Sequence, residues 1–261
     1  MGLFDKKFCD FCGQKIGLLG NKKLEDGNMC KDCASKLSPW FSERRHSTKA
    51  EIGAQLEYRE ENRKAVAAFH VTRSIGKYTK LLLDEDARKF AVTSARDLAA
   101  ANPDILDYSQ VTGCDLDIDE SRHELKRTEK DGKQVSYNPP RYEYSYNFKV
   151  LIHVNHPYFD EISYSLSNGY IKTGERVTSA IPAGWKISRA AVRLPGTTDY
   201  YEFMNMGNEI REVLTGVRQE VREEAAAQNA PKTAVTCPYC GATTIPDAQG
   251  CCEYCGGALR G

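Results

Sequence analysis

Four Cys-x-x-Cys pairs stand at the two ends of the chain: Cys9–Cys12 and Cys30–Cys33 near the start, Cys237–Cys240 and Cys252–Cys255 near the finish. They use eight of the ten cysteines and leave Cys114 and Cys251 over. This pairing constrains the ends more than any other feature, because each is too short to build its own apolar core and depends on a bridge between its thiols. The bridge could be a disulfide, a redox pair or a metal. Met1–Asp10 has no secretory apolar region, and no apolar run approaches the roughly 18 residues of a membrane span. The expected location is therefore the cytoplasm, where disulfides are disfavoured and clustered pairs point to metal or redox chemistry. Met1-Gly2 begins like a myristoylation signal, but position 6 is Lys, so the likeness is read as chance.

A redox Cys-x-x-Cys opens a helix in a βαβ domain, whereas these pairs come two by two in segments too small for one. Structural zinc takes four thiolates at the corners of a tetrahedron, and two Cys-x-x-Cys turns supply them. Seventeen residues separate the pairs of the first set and eleven those of the second, both suited to a knuckle or ribbon clamp. Gly13, Gly241 and Gly256 follow three of the pairs and allow the backbone to curl round an ion. The expected ligands are Cys9, Cys12, Cys30 and Cys33 for one Zn²⁺, and Cys237, Cys240, Cys252 and Cys255 for a second. Cys252 is preferred to its neighbour Cys251 because it makes the two-residue spacing with Cys255. Iron–sulfur clusters accept four cysteines too, so spacing leaves zinc and iron both open. Four thiolates fill a zinc shell and leave no position for water, so both sites are expected to be structural.

Over 261 residues, 41% hydrophobic and 28% charged residues describe a chain able to bury a core. Thirty-six Lys and Arg balance thirty-six Asp and Glu, which weighs against a dedicated nucleic-acid binder. Residues 1–50 are locally basic, with ten Lys or Arg against six Asp or Glu. Residues 237–261 hold only Arg260 against Asp247 and Glu253, and lack cations for phosphate contacts.

Between the ends, the stretch from residue 42 to residue 68 is polar and rich in helix formers, with sparse apolar positions at Ile52, Leu56 and Val66; it predicts an exposed linking helix with a thin apolar stripe. The stretch "YTKLLLDEDARKFAVT" predicts a hairpin about Asp84–Ala87, and "ILDYSQVTGCDLDID" a strand with a bend. In "YEYSYNFKVLIHV" every even position from 142 to 154 is aromatic or aliphatic and the odd ones are mostly polar. Such alternation belongs to an antiparallel strand with one buried face. Phe203, Met206, Ile210, Val213, Val217 and Val221 predict one face of a helix over about 198–227. The resulting division is a four-cysteine module at 1–41, a linking helix at 42–64, an α+β domain at 65–228, a linker at 229–236 and a ribbon at 237–261.

The first cysteine segment, with Gly13-x-Lys15-Ile16-Gly17-Leu18 and Leu24-x-Asp26-Gly27 before Cys30, resembles an N-terminal module of bacterial, Firmicutes-type proteins. That module is known as a zinc-finger-like domain of unknown function. "CPYCGATTIPDAQGCCEYCGGAL" resembles the zinc-ribbon tails of many bacterial proteins. The middle resembles the pleckstrin-homology (PH)-like or GRAM-like group in its order of short strands and hairpins followed by one amphipathic helix. That resemblance implies an antiparallel barrel or sandwich plugged by the helix, and a binding role toward peptides, proteins or lipid head groups.

P-loop, nucleophile-elbow, HExxH and dinucleotide glycine motifs are absent. His153 and His156, with Asp160 and Glu161, form one cluster that could serve a hydrolase, but they read better as wet-face and turn residues; His46, His70 and His123 stand alone. Tyr142, Tyr144 and Tyr146 could stack bases, yet their continuation into Phe148, Val150 and Ile152 places them against a core, with a groove at the first tyrosines as the alternative. Cys114 reads as a small core residue. The expectation is a non-enzymatic zinc-binding adaptor that recognises a protein partner or a lipid surface, with pairing of the long helix as a route to oligomers. The alternative is a nucleic-acid-associated regulator that uses Lys22 and Lys23 of the first module.

Overall fold

The first cysteine segment makes strands of only two residues. β1 (Lys7–Phe8) pairs with β2 (Lys15–Ile16), and β3 (Lys22–Lys23) with β4 (Asn28–Met29), both antiparallel. The computed structural model describes residues 7–177, 198–229, 234–247 and 249–259. A one-turn helix, α1 (Lys31–Ala34), closes the module. Its core is Ile16, Leu24, Met29, Leu37 and the buried thiols, and Ile52 from the following helix completes it.

That helix, α2 (Lys49–Ala68), begins at a capping box: Thr48 Oγ1 accepts from the Glu51 N–H, and the Glu51 carboxylate accepts from the Thr48 N–H. The expectation of an exposed link is corrected here. α2 buries Ile52, Gln55, Arg59, Asn62 and Val66, which recur every three or four residues on one face. Three of the five are polar, so a search for apolar periodicity counts them as wet.

Their burial has a definite cause. Arg59 Nη1 is paired with Asp104 Oδ1, its Nε donates to the Lys36 carbonyl at 3.2 Å, and its Nη2 donates to the Asn102 carbonyl. Asp104 also accepts from Tyr58 Oη at 3.1 Å and from Ser38 Oγ at 2.8 Å. Asn62 Nδ2 donates to Asn102 Oδ1 at 2.9 Å and to the Pro103 carbonyl, and its Oδ1 accepts from the Ile105 N–H. Tyr58 carries the junction further, its ring 5.1 Å from that of His156 and 5.3 Å from that of Tyr158.

Four antiparallel strands follow in sequence order: β5 (Arg73–Ile75), β6 (Lys80–Asp84), β7 (Lys89–Thr93) and, after the short helix α3 (Leu98–Ala101), β8 (Leu106–Asp107). The expected hairpin is β6–β7. Asp84 organises its approach, accepting from the N–H groups of His70 and Ala87, which hold its carboxyl below the ordinary range. Asn102, in the left-handed conformation, ends α3 and presents the Asn102–Asp104 segment to α2.

The second sheet is organised by β10 (Gln134–Val154). The 18-residue β9 (Val111–Thr128) pairs along one side of it, while β11 (Glu161–Ser165) and β12 (Ile171–Val177) share the other. The alternation works as the sequence reads: Tyr146, Phe148, Val150, Ile152 and Val154 are buried, and Tyr142 and Tyr144 half-buried. Helix α4 (Thr198–Asn229) packs there, with Tyr200 edge-on to Tyr146 and Phe148, and Phe203 stacked on Phe148. Its buried positions are Phe203, Gly207, Ile210, Leu214 and Val217, while Met206 and Val213 lie half-buried beside them. Gly207 escapes a count of apolar residues although it marks the close approach: a Cβ there would strike the Leu116 methyls. Among the described residues the sheets are antiparallel and do not close into a barrel.

The chain divides into two units, Met1–Arg218 and Gln219–Gly261. The second contains a hairpin of β13 (Val235–Thr236) and β14 (Thr243–Thr244), and an antiparallel bridge between Cys251 and Ala258. Leu259 packs on Cys237 and Cys252. No described helix is long and apolar enough to cross a membrane.

Asp104→Ala leaves the buried Arg59 uncompensated and is expected to destabilise the first unit by about 3–5 kcal/mol in urea unfolding. The exposed Lys64–Glu61 pair is the control, and Lys64→Ala is expected to cost under about 0.5 kcal/mol. Gln55→Leu, which removes buried amide atoms that lack a hydrogen-bond partner among the described residues, is expected to be neutral or stabilising.

Candidate metal centres

Three of the four cysteine pairs build the same turn. The N–H of the first cysteine donates to the carbonyl five residues on: Cys9 to Gln14, Cys237 to Ala242 and Cys252 to Gly257, at 2.9, 2.8 and 2.8 Å. Its carbonyl then accepts from the glycine four residues on, Gly13, Gly241 or Gly256. Those glycines sit at φ +70°, +74° and +70°, a conformation that strains a side chain. The turn thus brings both thiols of a pair to one point.

The fourth pair is built differently. Cys30 is the N-cap of α1, and its sulfur accepts the Cys33 N–H at 3.4 Å. The Cys30 N–H in turn donates to Cys9 Sγ at 3.3 Å, which ties the helix end to the first turn. Asp10 adds a second link through its carboxylate, which accepts the Asn28 N–H at 2.6 Å.

All four sulfurs of Cys9, Cys12, Cys30 and Cys33 lie within 4.8 Å of one another, and so do those of Cys237, Cys240, Cys252 and Cys255. Individual separations are 3.7 Å for Cys12–Cys30, 3.5 Å for Cys237–Cys255 and 3.7 Å for Cys240–Cys252. An ion held about 2.3 Å from four tetrahedral sulfurs sets them roughly 3.8 Å apart. The donor sets therefore fit a single tetrahedral ion, and either cluster could hold a metal.

The thiols share charge unequally. Burial raises Cys9, but the N–H groups of Cys30, Cys12 and Phe11 outweigh it and hold the thiol at about 6. Burial likewise opposes ionisation of Cys237, and the N–H groups of Cys240 and Tyr239 bring it to about 7. Cys33 is pushed up by burial and by its neighbouring thiols. Cys255, despite the Gly257 N–H that favours its thiolate, is raised to about 12 by Cys240 and Cys237. Each cluster thus gives up its first proton readily and resists losing the next, and a cation binding there must displace the remaining protons.

The structure brings the eight sequence-predicted cysteines into these two sets. Cys251 stays outside, its N–H bound to Asp247 Oδ1 at 2.8 Å and its sulfur 3.9 Å from the Gln249 carbonyl. Cys114 lies half-buried in β9 opposite Ile152, and burial pushes its thiol up to about 12. His153 and His156 do not converge. His153 Nε2 lies 3.2 Å from Asp115 Oδ2 on the wet face, whereas His156 stacks on Phe159 and has its protonation disfavoured by burial. Neither joins Asp160 and Glu161 in a metal-sized group among the described residues. At the tyrosine stripe, Arg122 lies over Tyr142 at 4.7 Å, and the Tyr146 hydroxyl donates to Glu120 at 2.7 Å. Sequence reasoning missed the Arg59–Asp104 junction, whose signal was the polar residues at helical spacing on α2. It also passed over the exposed Leu18-Leu19 turn.

Residues 7–55 match the family described as a domain of unknown function, DUF4428. The match covers the first cluster, its two hairpins, α1 and the opening turns of α2. Among curated proteins and solved structures, none matches the chain.

Because thiolate is the form that binds metal, acid competes directly with the ion. With first protonations near 7 at Cys237 and 6 at Cys9 and higher ones at their neighbours, more than one proton leaves each site on loading. Metal affinity, read by chelator competition from pH 8 to pH 5, is expected to fall with decreasing pH by more than about tenfold per unit.

Proposed function

We propose that this protein is a cytoplasmic, non-enzymatic adaptor in which two structural Zn²⁺ ions fix the ends of the chain and a PH-like middle region is the scaffold between them. The observation that carries the reading is the pair of four-sulfur sets at tetrahedral spacing. Sulfurs this close suit one ion rather than a multi-iron cluster, and zinc is the usual occupant of a closed four-thiolate shell. Such an ion contributes on the order of 10 kcal/mol to the folding of segments whose own cores are a handful of residues. The PH-like reading is supported by the order of antiparallel strands followed by one amphipathic helix that packs on the second sheet.

Recognition of a protein partner is supported at the C-terminal module. Tyr239 and Tyr254 are the middle residues of its two cysteine turns and stand 72% and 73% exposed. Rigid, amphipathic tyrosines on a clamped backbone lose little freedom on binding, which is why such residues concentrate at interfaces.

The test is the metal content of the purified chain, with absorbance spectra to detect iron, beside Cys12→Ser and Cys240→Ser. Two zinc ions per chain are expected, each variant losing one. One ion or none, or an iron chromophore, refutes the paired-zinc architecture. If zinc is confirmed, Tyr239→Ser combined with Tyr254→Ser is expected to keep both ions and abolish partner capture.

A further inference from the structure

The turn between β2 and β3 exposes two adjacent leucines, Leu18 at 89% and Leu19 at 87%, more than any other large apolar side chain among the described residues. The turn is a formed structure: the Gly20 N–H donates to the Gly17 carbonyl at 2.9 Å, and the neighbouring Ile16 is buried in the module core. Exposing about two whole leucine side chains to water gives up roughly 3–5 kcal/mol of burial, so a folded turn that does so points to something that covers it.

The surroundings indicate what covers it. From Gly13 to Lys23 the chain carries Lys15, Lys22 and Lys23 and no acidic residue. None of these lysines is in an ion pair among the described residues. Lys22 also lines a cavity of about 340 Å³ together with Lys31, Arg44, Ser35 and Ser42. Arg44 is held in place by its bond to the Lys23 carbonyl, and Ser42 Oγ donates to Glu43 at 3.1 Å. The cavity thus gathers three cations, of which Lys22 follows the apolar tip by three residues, with no carboxylate among its lining residues.

The geometry points to a membrane contact: the N-terminal module docks on an anionic phospholipid bilayer, Leu18 and Leu19 entering the acyl boundary while the Lys22–Lys31–Arg44 cavity receives a phosphorylated headgroup. The dimensions agree. Lys22 is three residues from Leu19, at most about 10 Å of chain. With an apolar tip set about 5–10 Å into the interface, Lys22 is within reach of the phosphates. This contact goes beyond the adaptor reading and is independent of the tyrosines that support it.

Flotation of the full, metal-loaded chain with vesicles tests the proposal, comparing phosphatidylcholine alone with phosphatidylcholine containing phosphatidylserine or a phosphorylated phosphatidylinositol. Binding to the anionic vesicles, weakening with added salt, is expected. Leu18→Glu with Leu19→Glu is expected to lower partitioning by at least about a hundredfold, roughly tenfold for each leucine. Lys22→Glu is expected to lower it by roughly fivefold or more. Metal content equal to that of the parent certifies each variant as folded. Leu18→Trp supplies a second readout, a blue-shifted emission on anionic vesicles alone. Absence of flotation, equal binding to neutral vesicles, or full binding by the double glutamate variant overturns the proposal and leaves the tip to a protein partner.

Discussion

The ion pair between Arg59 and Asp104 is the interaction on which the first unit is assembled. Neither side chain is solvated, so the pair tolerates burial only because its remaining groups are used. Three guanidinium nitrogens reach Asp104, Lys36 and Asn102, and both carboxylate oxygens accept from further donors at Tyr58 and Ser38. Those partners come from the cysteine module, from α2 and from the connection between α3 and β8. The Tyr58 ring extends the same junction to the turn after β10. A greasy contact would let these parts slide; a set of directional bonds with few alternative pairings fixes one arrangement.

Legibility in the sequence follows from the kind of physics involved. The four cysteine pairs were readable because metal chemistry imposes a spacing that little else produces, and the shared Cys-x-x-Cys-Gly turn specifies its own backbone. β10 was readable because one wet and one dry face write an alternation, and β6–β7 because a polar turn separates two apolar runs. α2 was misread for the opposite reason: its buried face is written in Arg, Asn and Gln, and the residues that pair with Arg59 and Asn62 lie forty and more positions away at Asn102–Ile105. Leu214 and Gly207 of α4 show a milder form of the problem, since the helix axis depends on how closely the sheet approaches. Why Leu18 and Leu19 stay outside the core is a three-dimensional fact, because their neighbour Ile16 is the residue the core accepts.

The two clusters reach similar sulfur geometry by different routes. The C-terminal set is two copies of one turn, related by the repeated Cys-x-Tyr-Cys-Gly, and its strands serve only to present them. The N-terminal set replaces one copy with the start of a helix, so its sulfurs depend on where α1 begins. Cys30 is at once a member of the cluster and the cap of that helix. The chain leaving α1 runs through Lys36 and Ser38 into the Arg59–Asp104 junction, which places the first cluster in mechanical series with the rest of its unit.

This continuity bears on what counts as a separable part. The family match ends at residue 55, after the cysteines and Ile52 but before Arg59. A fragment excised there would keep all four sulfurs of the first cluster and every buried residue of the small core, yet would lose Leu56 from its edge and leave the Lys36 carbonyl and Ser38 hydroxyl without Arg59 and Asp104. The segment that matches the family and the segment that satisfies its own polar groups are therefore different objects in this chain. The matched residues close a clamp of metal size, and in this chain Lys36 and Ser38, which follow α1, find their partners only beyond it.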